Sequence, residues 1–168
     1  MAIVVSDTSP IRAFHSLAQI TLLEQLFGAI IVPPAVADEL ARPRPPFSPI
    51  DVSAFNNFEI RAPHDQQLVQ TYVEAIDAGE AEAIVLAIEL KATLLIDEVA
   101  GRTAAAAAGV PYMGVLGVLS LAKRQKLISE VRPLLDRLRL ELRFRIAQNL
   151  YDQFLKAIGE LYLGSPVE

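Results

Sequence analysis

The chain has 168 residues, 52% apolar and 21% charged, a composition that excludes a disordered chain and suits one domain with a self-sufficient core. It has no cysteine, which excludes a disulfide framework, a thiol nucleophile and any zinc site with a cysteine ligand. Two histidines, His15 and His64, cannot build a multi-histidine centre, and a net charge of −5 with pI near 5.1 excludes a simple basic nucleic-acid binder.

Ala2 to Val5 is an unbroken apolar run, the pattern of a buried strand in a parallel sheet. Ser6-Asp7-Thr8-Ser9-Pro10 follows, with hydroxyls ahead of a proline that suits a first helical turn. Phe14, Leu17, Leu22 and Leu26 predict one helix over 11–27, stopped by Gly28. Ala29 to Val32 reads as a second strand, and Pro33-Pro34 opens a helix carrying Val36, Glu39 and Leu40. Six of the eleven prolines lie between Pro33 and Pro49, so Arg42 to Pro49 is an exposed loop. A third strand is expected over 58–61 and a helix over 65–76. Asp77-Ala78-Gly79 breaks the chain, a strong helix runs over 80–91, and Thr93 to Ile96 is a fourth buried strand. An alanine-rich helix over 99–108 leads to a fifth strand near 112–115, and helices follow over 116–126 and 132–141. In the last segment, Ile146, Leu150, Phe154 and Ile158 form an apolar stripe at four-residue spacing.

Alternating strands and helices predict an α/β fold with a central parallel sheet. We read residues 1–168 as one domain, an α/β core over about 1–120 and a helical C-terminal segment over 121–168. The start MAIVVSD has no basic region ahead of its apolar run, so it does not read as a signal peptide. The longest uncharged stretch, Thr103 to Ala122, is mostly small residues and contains Pro111, which argues against a membrane span. A cytoplasmic protein with no membrane partner is expected.

Two acids end strands: Asp7 after the first and Asp97 after the fourth. The carboxyl ends of parallel strands are where ligands bind in such sheets. Each can also be a helix cap. Two carboxylates held together there repel, and a cation or a proton between them relieves the repulsion. Further acids lie in otherwise small and apolar helical segments: Glu39 on one, Glu80 and Glu82 on another. Alone, each glutamate reads as solvated helix surface. Glu80 and Glu82 diverge by ~200° around a helix, so only one of them can lie deep in a site. Carboxylates as the sole ligands suit Mg²⁺ or Mn²⁺. Such an ion can supply both an activated water and positive charge. His15 reads as a partly buried helix residue and His64 as a loop residue.

The order Asp7-Thr8-Ser9-Pro10, VPPAVADEL at 32–40, GEAEAIVLA at 79–87 and LLIDE at 94–98 resembles the PIN-domain nucleases. Within them it is similar to the bacterial and archaeal subgroup related to the VapC toxins. The resemblance covers residues 3 to about 160 and implies a three-layer α/β/α fold and metal-dependent cleavage of RNA by three or four carboxylates. Carried over, it assigns Asp7, Glu39, Glu80 and Asp97 as catalytic and metal-binding acids, with Glu82 as the rival of Glu80. Ser9 takes the place of a hydroxyl often found two residues after the first acid. Glu98 stands beside Asp97 either as a substitute acid or as surface, and Arg102 either pairs with Asp97 or Glu98 or contacts a phosphate.

The resemblance thus implies a Mg²⁺- or Mn²⁺-dependent endoribonuclease, the toxin half of a toxin–antitoxin pair, with RNA as substrate and an antitoxin as partner. The alternative is a PIN-fold module that binds nucleic acid or protein with weak or no nuclease activity. A phosphatase of the haloacid-dehalogenase type lacks its second Asp two residues after Asp7. Charge is uneven: residues 1–120 carry −8 and residues 121–168 carry +3. Lys123, Arg124, Lys126, Arg137, Arg139, Arg143 and Arg145 can track an RNA backbone or form a solvated helix face. The apolar stripe of the last helix suggests a homodimer.

Overall fold

Five short runs form one sheet, the three central ones rich in Val, Ile and Leu: β1 (Val4–Ser6), β2 (Ile30–Val32), β3 (Phe58–Ile60), β4 (Thr93–Leu95) and β5 (Tyr112–Met113). The computed structural model describes residues 2–161. Every strand pair is parallel, and the spatial order is β3-β2-β1-β4-β5. The chain first grows outward from β1 through β2 to β3. It then returns to the other side of β1 for β4 and β5. The sheet therefore reverses its direction of growth between β1 and β4, and Val4 to Ser6 pair with Thr93 to Leu95 across that point. A crevice outside the carboxyl ends of the strands opens where the order reverses.

Helices α1 (Thr8–Ser16), α2 (Ile20–Phe27), α3 (Pro34–Ala41), α4 (Gln66–Val73), α5 (Ala78–Leu90) and α6 (Val99–Ala107) connect these strands, and α7 (Val115–Arg124), α8 (Arg132–Leu140) and α9 (Gln148–Ala157) follow. This is the α/β architecture with a parallel sheet that the sequence predicts. The chain forms two compact units, residues 1–115 and 116–168. Among the described residues no helix is long and apolar enough to cross a membrane.

In the first unit, Ala83, Ile84, Val85, Leu86 and Ala87 are all buried. A helix that is apolar on every face must be enclosed, and α5 accordingly packs with α3, α4, α6, β1 and β4. The core between these elements joins Val5, Ile31, Val69, Ile84, Leu94 and Ala105. In the second unit Leu135, Leu138, Tyr151 and Leu155 are buried. The Tyr151 hydroxyl donates to Asp136, and Lys123 pairs with Glu160 at 2.6 Å. Glu160 also accepts from the Val131 and Arg132 N–H groups at 2.7 Å each, satisfying the open amides at the start of α8. These bonds hold its carboxyl below the usual range despite the opposing effect of burial.

Three expectations change. The helix expected over 11–27 is two, because Leu17 caps α1 and Ala18 adopts φ +55°. The five-residue step from Leu17 to Leu22 is where the periodicity slips. The Asp77-Ala78-Gly79 break is a helix start, with Asp77 as N-cap and Ala78 and Gly79 in the first turn. The stripe on the last helix is not continuous, since Ile146 precedes α9 and Leu150 is 47% exposed, while Tyr151 and Leu155 face inward. A four-residue repeat drifts ~40° per step around a helix, so its ends cannot share one face.

Candidate active site

Asp7 follows β1 directly, and its backbone N–H donates to the Leu95 carbonyl of β4 at 2.9 Å, fixing it at the switch point. It occupies the N-cap position of α1, yet its side chain makes no capping hydrogen bond. The carboxylate is thus buried, with the residue 3% exposed, and is not used as a cap. Thr8, one residue on, donates from its hydroxyl to Glu39 Oε2 at 2.9 Å, which draws α3 toward the first helix. Glu39 also faces two guanidinium groups, Arg12 and Arg44, each 3.8 Å from Oε1. Arg12, buried beneath the site, donates to the Glu39 carbonyl at 2.8 Å as well.

Glu80 enters from α5. It is the third residue of a capping box: its N–H donates to Asp77 Oδ1 at 2.8 Å, and its Oε2 accepts from the Asp77 N–H at 3.3 Å. Small residues let the acids approach. A Cβ on Gly79 would lie 3.2 Å from Glu39 Oε2, and one on Gly101 would lie 3.2 Å from Glu80 Oε1 while overlapping Ile96 Cδ1. Asp7, Ser9, Glu39, Asp77, Glu80 and Glu98 line a common cavity of about 710 Å³, with Arg44 the basic side chain on its wall.

Burial pushes the Asp7 carboxyl up to about 8, aided by the negative charges of Glu80, Asp77 and Glu39, although the Thr8 backbone N–H opposes it. Burial raises Glu80 as well, with the Asp77 charge adding to it. The acids are therefore held together against their mutual repulsion, and the charged groups on the cavity wall, Arg44 apart, are all of one sign.

Asp97 stands at the end of β4, on the same edge of the sheet, but its carboxyl does not line this cavity. Oδ1 accepts from the Val115 N–H at 3.1 Å and from Arg102 Nη2 at 3.3 Å, and Oδ2 is buried with no hydrogen-bond partner. Burial raises its carboxyl above the ordinary value, and the Val115 N–H and Arg102 offset part of the rise. Arg102 is fixed by a second hydrogen bond, from Nε to the Ile96 carbonyl at 3.1 Å, and lies over the Tyr112 ring. It pairs with Asp97. Glu98, next along, is exposed and leaves the N-terminus of α6 without a side-chain cap.

Glu82 lies elsewhere. Its Oε2 accepts from the Ala35 N–H at 2.9 Å, so it closes the N-terminus of α3, where its charge also suits the helix dipole. Glu82→Ala is expected to cost about 0.5–2 kcal/mol through that lost cap. It should lower the thermal midpoint by a few degrees in a melt and leave cleavage rates unchanged. A large fall in cleavage at unchanged stability would instead put Glu82 in the site. His15 packs edge-on to Phe55, His64 is an exposed loop residue, and neither lines the cavity.

Thr8, Arg12, Arg44 and Asp77 are missing from the sequence-derived site. Asp77 had a signal, because Asp followed three residues later by Glu is the capping-box spacing. Arg12, a lone charge inside an apolar helix, was the other visible clue. Arg44 comes from the proline-rich loop, where a turn closed by the Phe47 N–H on the Arg44 carbonyl at 2.7 Å carries it to the cavity.

Among the described residues, no three His, Cys, Asp or Glu side chains are already gathered at metal-ligating spacing. The donor chemistry nonetheless fits a hard divalent cation. The oxygens come from acids alone, Asp7 is buried with no ion-pair partner among the described residues, and the cavity leaves room for the waters such ions keep. A family model described as PIN domain matches residues 3–160. No curated protein matches the chain. Acids at the ends of β1 and β4, a parallel sheet reversing between them and a family match over nearly the whole chain agree: the chain belongs to the PIN-domain family, whose members are generally nucleases.

Proposed function

We propose that this protein is a Mg²⁺- or Mn²⁺-dependent endoribonuclease. The observation that carries the reading is the convergence of Asp7, Glu39 and Glu80, from three separate elements, on one cavity at the carboxyl edge of the sheet. In this reading Asp7, Glu39 and Glu80 hold the ion. Asp97, whose Oδ2 its partners leave open, lies outside this cavity and would join them by turning that oxygen toward Asp7. A divalent ion so held supplies positive charge on the phosphoryl oxygens and a water of lowered pKa. The chain's own groups then do the positioning. Thr8 and Arg12 fix the Glu39 side chain, the capping box fixes Glu80, and Arg102 with the Val115 N–H fixes Asp97. Ser9 offers a hydroxyl on the cavity wall, and Glu98 adds negative charge at its rim.

VapC-like toxin function, with an antitoxin partner and a homodimeric assembly, is the finer form of the same proposal. The resemblance of the acidic segments supports it. Incubating a mixed RNA pool with the protein tests the activity. Cleavage is expected with Mg²⁺ or Mn²⁺, none in EDTA, and none with Asp7→Asn. Cutting that survives both EDTA and Asp7→Asn would refute the reading.

The rival reading is a PIN-fold binding module with a silent site. The ion pairs of Glu39 with Arg12 and Arg44 favour it, since they offset part of the acidic charge from within the chain. Under that reading Mg²⁺ or Mn²⁺ gives neither cleavage nor a rise in thermal midpoint.

A further inference from the structure

The acidic body of the protein is a poor surface for a polyanion: residues 1–115 carry 6 basic and 14 acidic side chains. Residues 116–168 carry 9 basic and 6 acidic. Within this second unit three basic side chains are paired with acids. Lys123 is bonded to Glu160, Arg132 pairs with Asp136 and Arg137 with Glu141. The last turn of α8 and the segment that follows it are different. Arg139, Arg143, Phe144, Arg145, Ile146 and Ala147 line an open hollow of about 540 Å³, with no acid among the described residues on its wall.

The three arginines there have no carboxylate partner among the described residues. Arg139 is held by neutral groups: its guanidinium lies 4.2 Å from the Tyr151 ring centroid, and Nη2 donates to Gln148 Oε1 at 3.0 Å. That arrangement orients the guanidinium without cancelling its charge. Arg143 and Arg145 are exposed, with half-buried Phe144 between them. Arg143 adopts φ +53°, a left-handed turn that is uncommon for a side-chain-bearing residue.

We infer that the hollow lined by Arg139, Arg143, Phe144 and Arg145 is a binding surface for the phosphodiester backbone of single-stranded RNA. The inference rests on the nuclease reading and extends it to how the strand is held. Unpaired guanidinium groups around an apolar ring are the combination that tracks a flexible strand: the charges take phosphates and the ring takes a base. Charge complementarity selects the occupant, since an apolar partner would leave three guanidinium groups desolvated without compensation.

The test is fluorescence anisotropy of the full chain with a labelled oligouridylate, in EDTA so that no strand is cut, over a range of salt. Arg143→Ala with Arg145→Ala should weaken binding about tenfold and flatten the slope of log K against log salt by about 1.4, the effect of losing two phosphate contacts on a single strand. Arg143→Lys with Arg145→Lys should retain most of the slope. Neither pair should move the thermal midpoint, because no hydrogen bond or ion pair is lost. In metal-dependent cleavage, the alanine pair should raise KM for a long RNA and leave kcat in place. Wild-type affinity and slope in the alanine pair, while the wild-type chain binds and cleaves RNA, overturn the inference and leave the nuclease reading standing. Failure of the wild-type chain to bind or cut RNA overturns both. Binding of a polyglutamate peptide that is lost in the alanine pair, with RNA binding unchanged, overturns it in favour of an acidic protein partner.

Discussion

Asp7→Asn is expected to abolish cleavage and, in metal-free buffer, to stabilise the fold. The two effects share one cause. Asp7 is buried at the switch point among Glu39, Asp77 and Glu80, and its carboxyl is pushed from its ordinary 3.8 up to about 8. Below about pH 4 the group is protonated whether the chain is folded or not. Between pH 4 and pH 8 the unfolded chain releases the proton while the folded chain keeps it. Folding stability therefore falls with rising pH over this window and levels off above about pH 8. A shift of this size corresponds to a cost on the order of 5 kcal/mol as an upper figure. Asparagine removes the titration, so the gap between the two proteins should be small near pH 4 and widest near pH 8. Glu80 and Asp97 are raised too and add to the slope in both proteins. Glu160 has the opposite sign. Its carboxyl is held low, so its contribution is present at neutral pH and lost as the pH falls through its folded value.

Under the proposed function, Mg²⁺ or Mn²⁺ is expected to reverse the balance for the wild type alone. A cation that binds the ionised carboxylates raises the thermal midpoint by mass action and displaces the proton from Asp7. Calorimetry in two buffers of different ionisation enthalpy would read that proton directly. Cleavage should fall by about 10³-fold or more in Asp7→Asn, below what the RNA-pool assay detects, a loss of about 4 kcal/mol or more of transition-state stabilisation. A clear loss of metal-free stability in the variant would make Asp7 a structural group and remove the physical basis of the site.

How much of this was visible in the sequence depends on how local each signal is. The central strands β1, β2 and β4 announce themselves because each is a largely buried run rich in Val, Ile and Leu, whereas the edge strands β3 and β5 are exposed and carry a weaker signal. Asp7 and Asp97 were legible for the same reason, as each sits where such a run stops. Helical phase alone did not separate Glu80 from Glu82, because both are acids in one largely apolar helix, and the preference for Glu80 came from the resemblance. Only the fold shows that one faces Gly101 and the other closes the start of α3. The divided first helix was hidden because Ala18, the residue that turns left-handed, is an excellent helix former in isolation. The ties of Arg12 and Arg44 to Glu39 join residues 27 and 5 positions away, respectively, in different elements, and no local pattern encodes them. Asp97 shows the limit most clearly. Its position was readable, but its use of Oδ1 for the Val115 N–H depends on β5 returning beside β4.

That arrangement makes Gly114 the residue on which Asp97 depends, and Gly114→Ala is expected to be severe. A Cβ there would overlap Arg102 Nη2 and come within 2.5 Å of Asp97 Oδ1. The guanidinium is the far end of a flexible chain and can swing away. Doing so gives up its pairing with Asp97, its hydrogen bond to Ile96 and its place over Tyr112. The carboxylate has no such freedom, since it is short, largely buried and bonded to the backbone of Val115. Displacing it leaves a buried N–H without an acceptor and a buried carboxylate without its cation. The expected cost is about 2–4 kcal/mol, a drop in thermal midpoint of several degrees or more. Arg102→Ala isolates the mechanism, because it removes one of the two groups the new methyl would strike. In a double-mutant cycle, Gly114→Ala should cost less in the Arg102→Ala background than alone, with a coupling of about 1 kcal/mol. Additive losses would mean that the methyl acts only through Asp97. Gly114→Ala at wild-type stability would mean that β5 yields easily, and that nothing holds Asp97 in the orientation its proposed role requires.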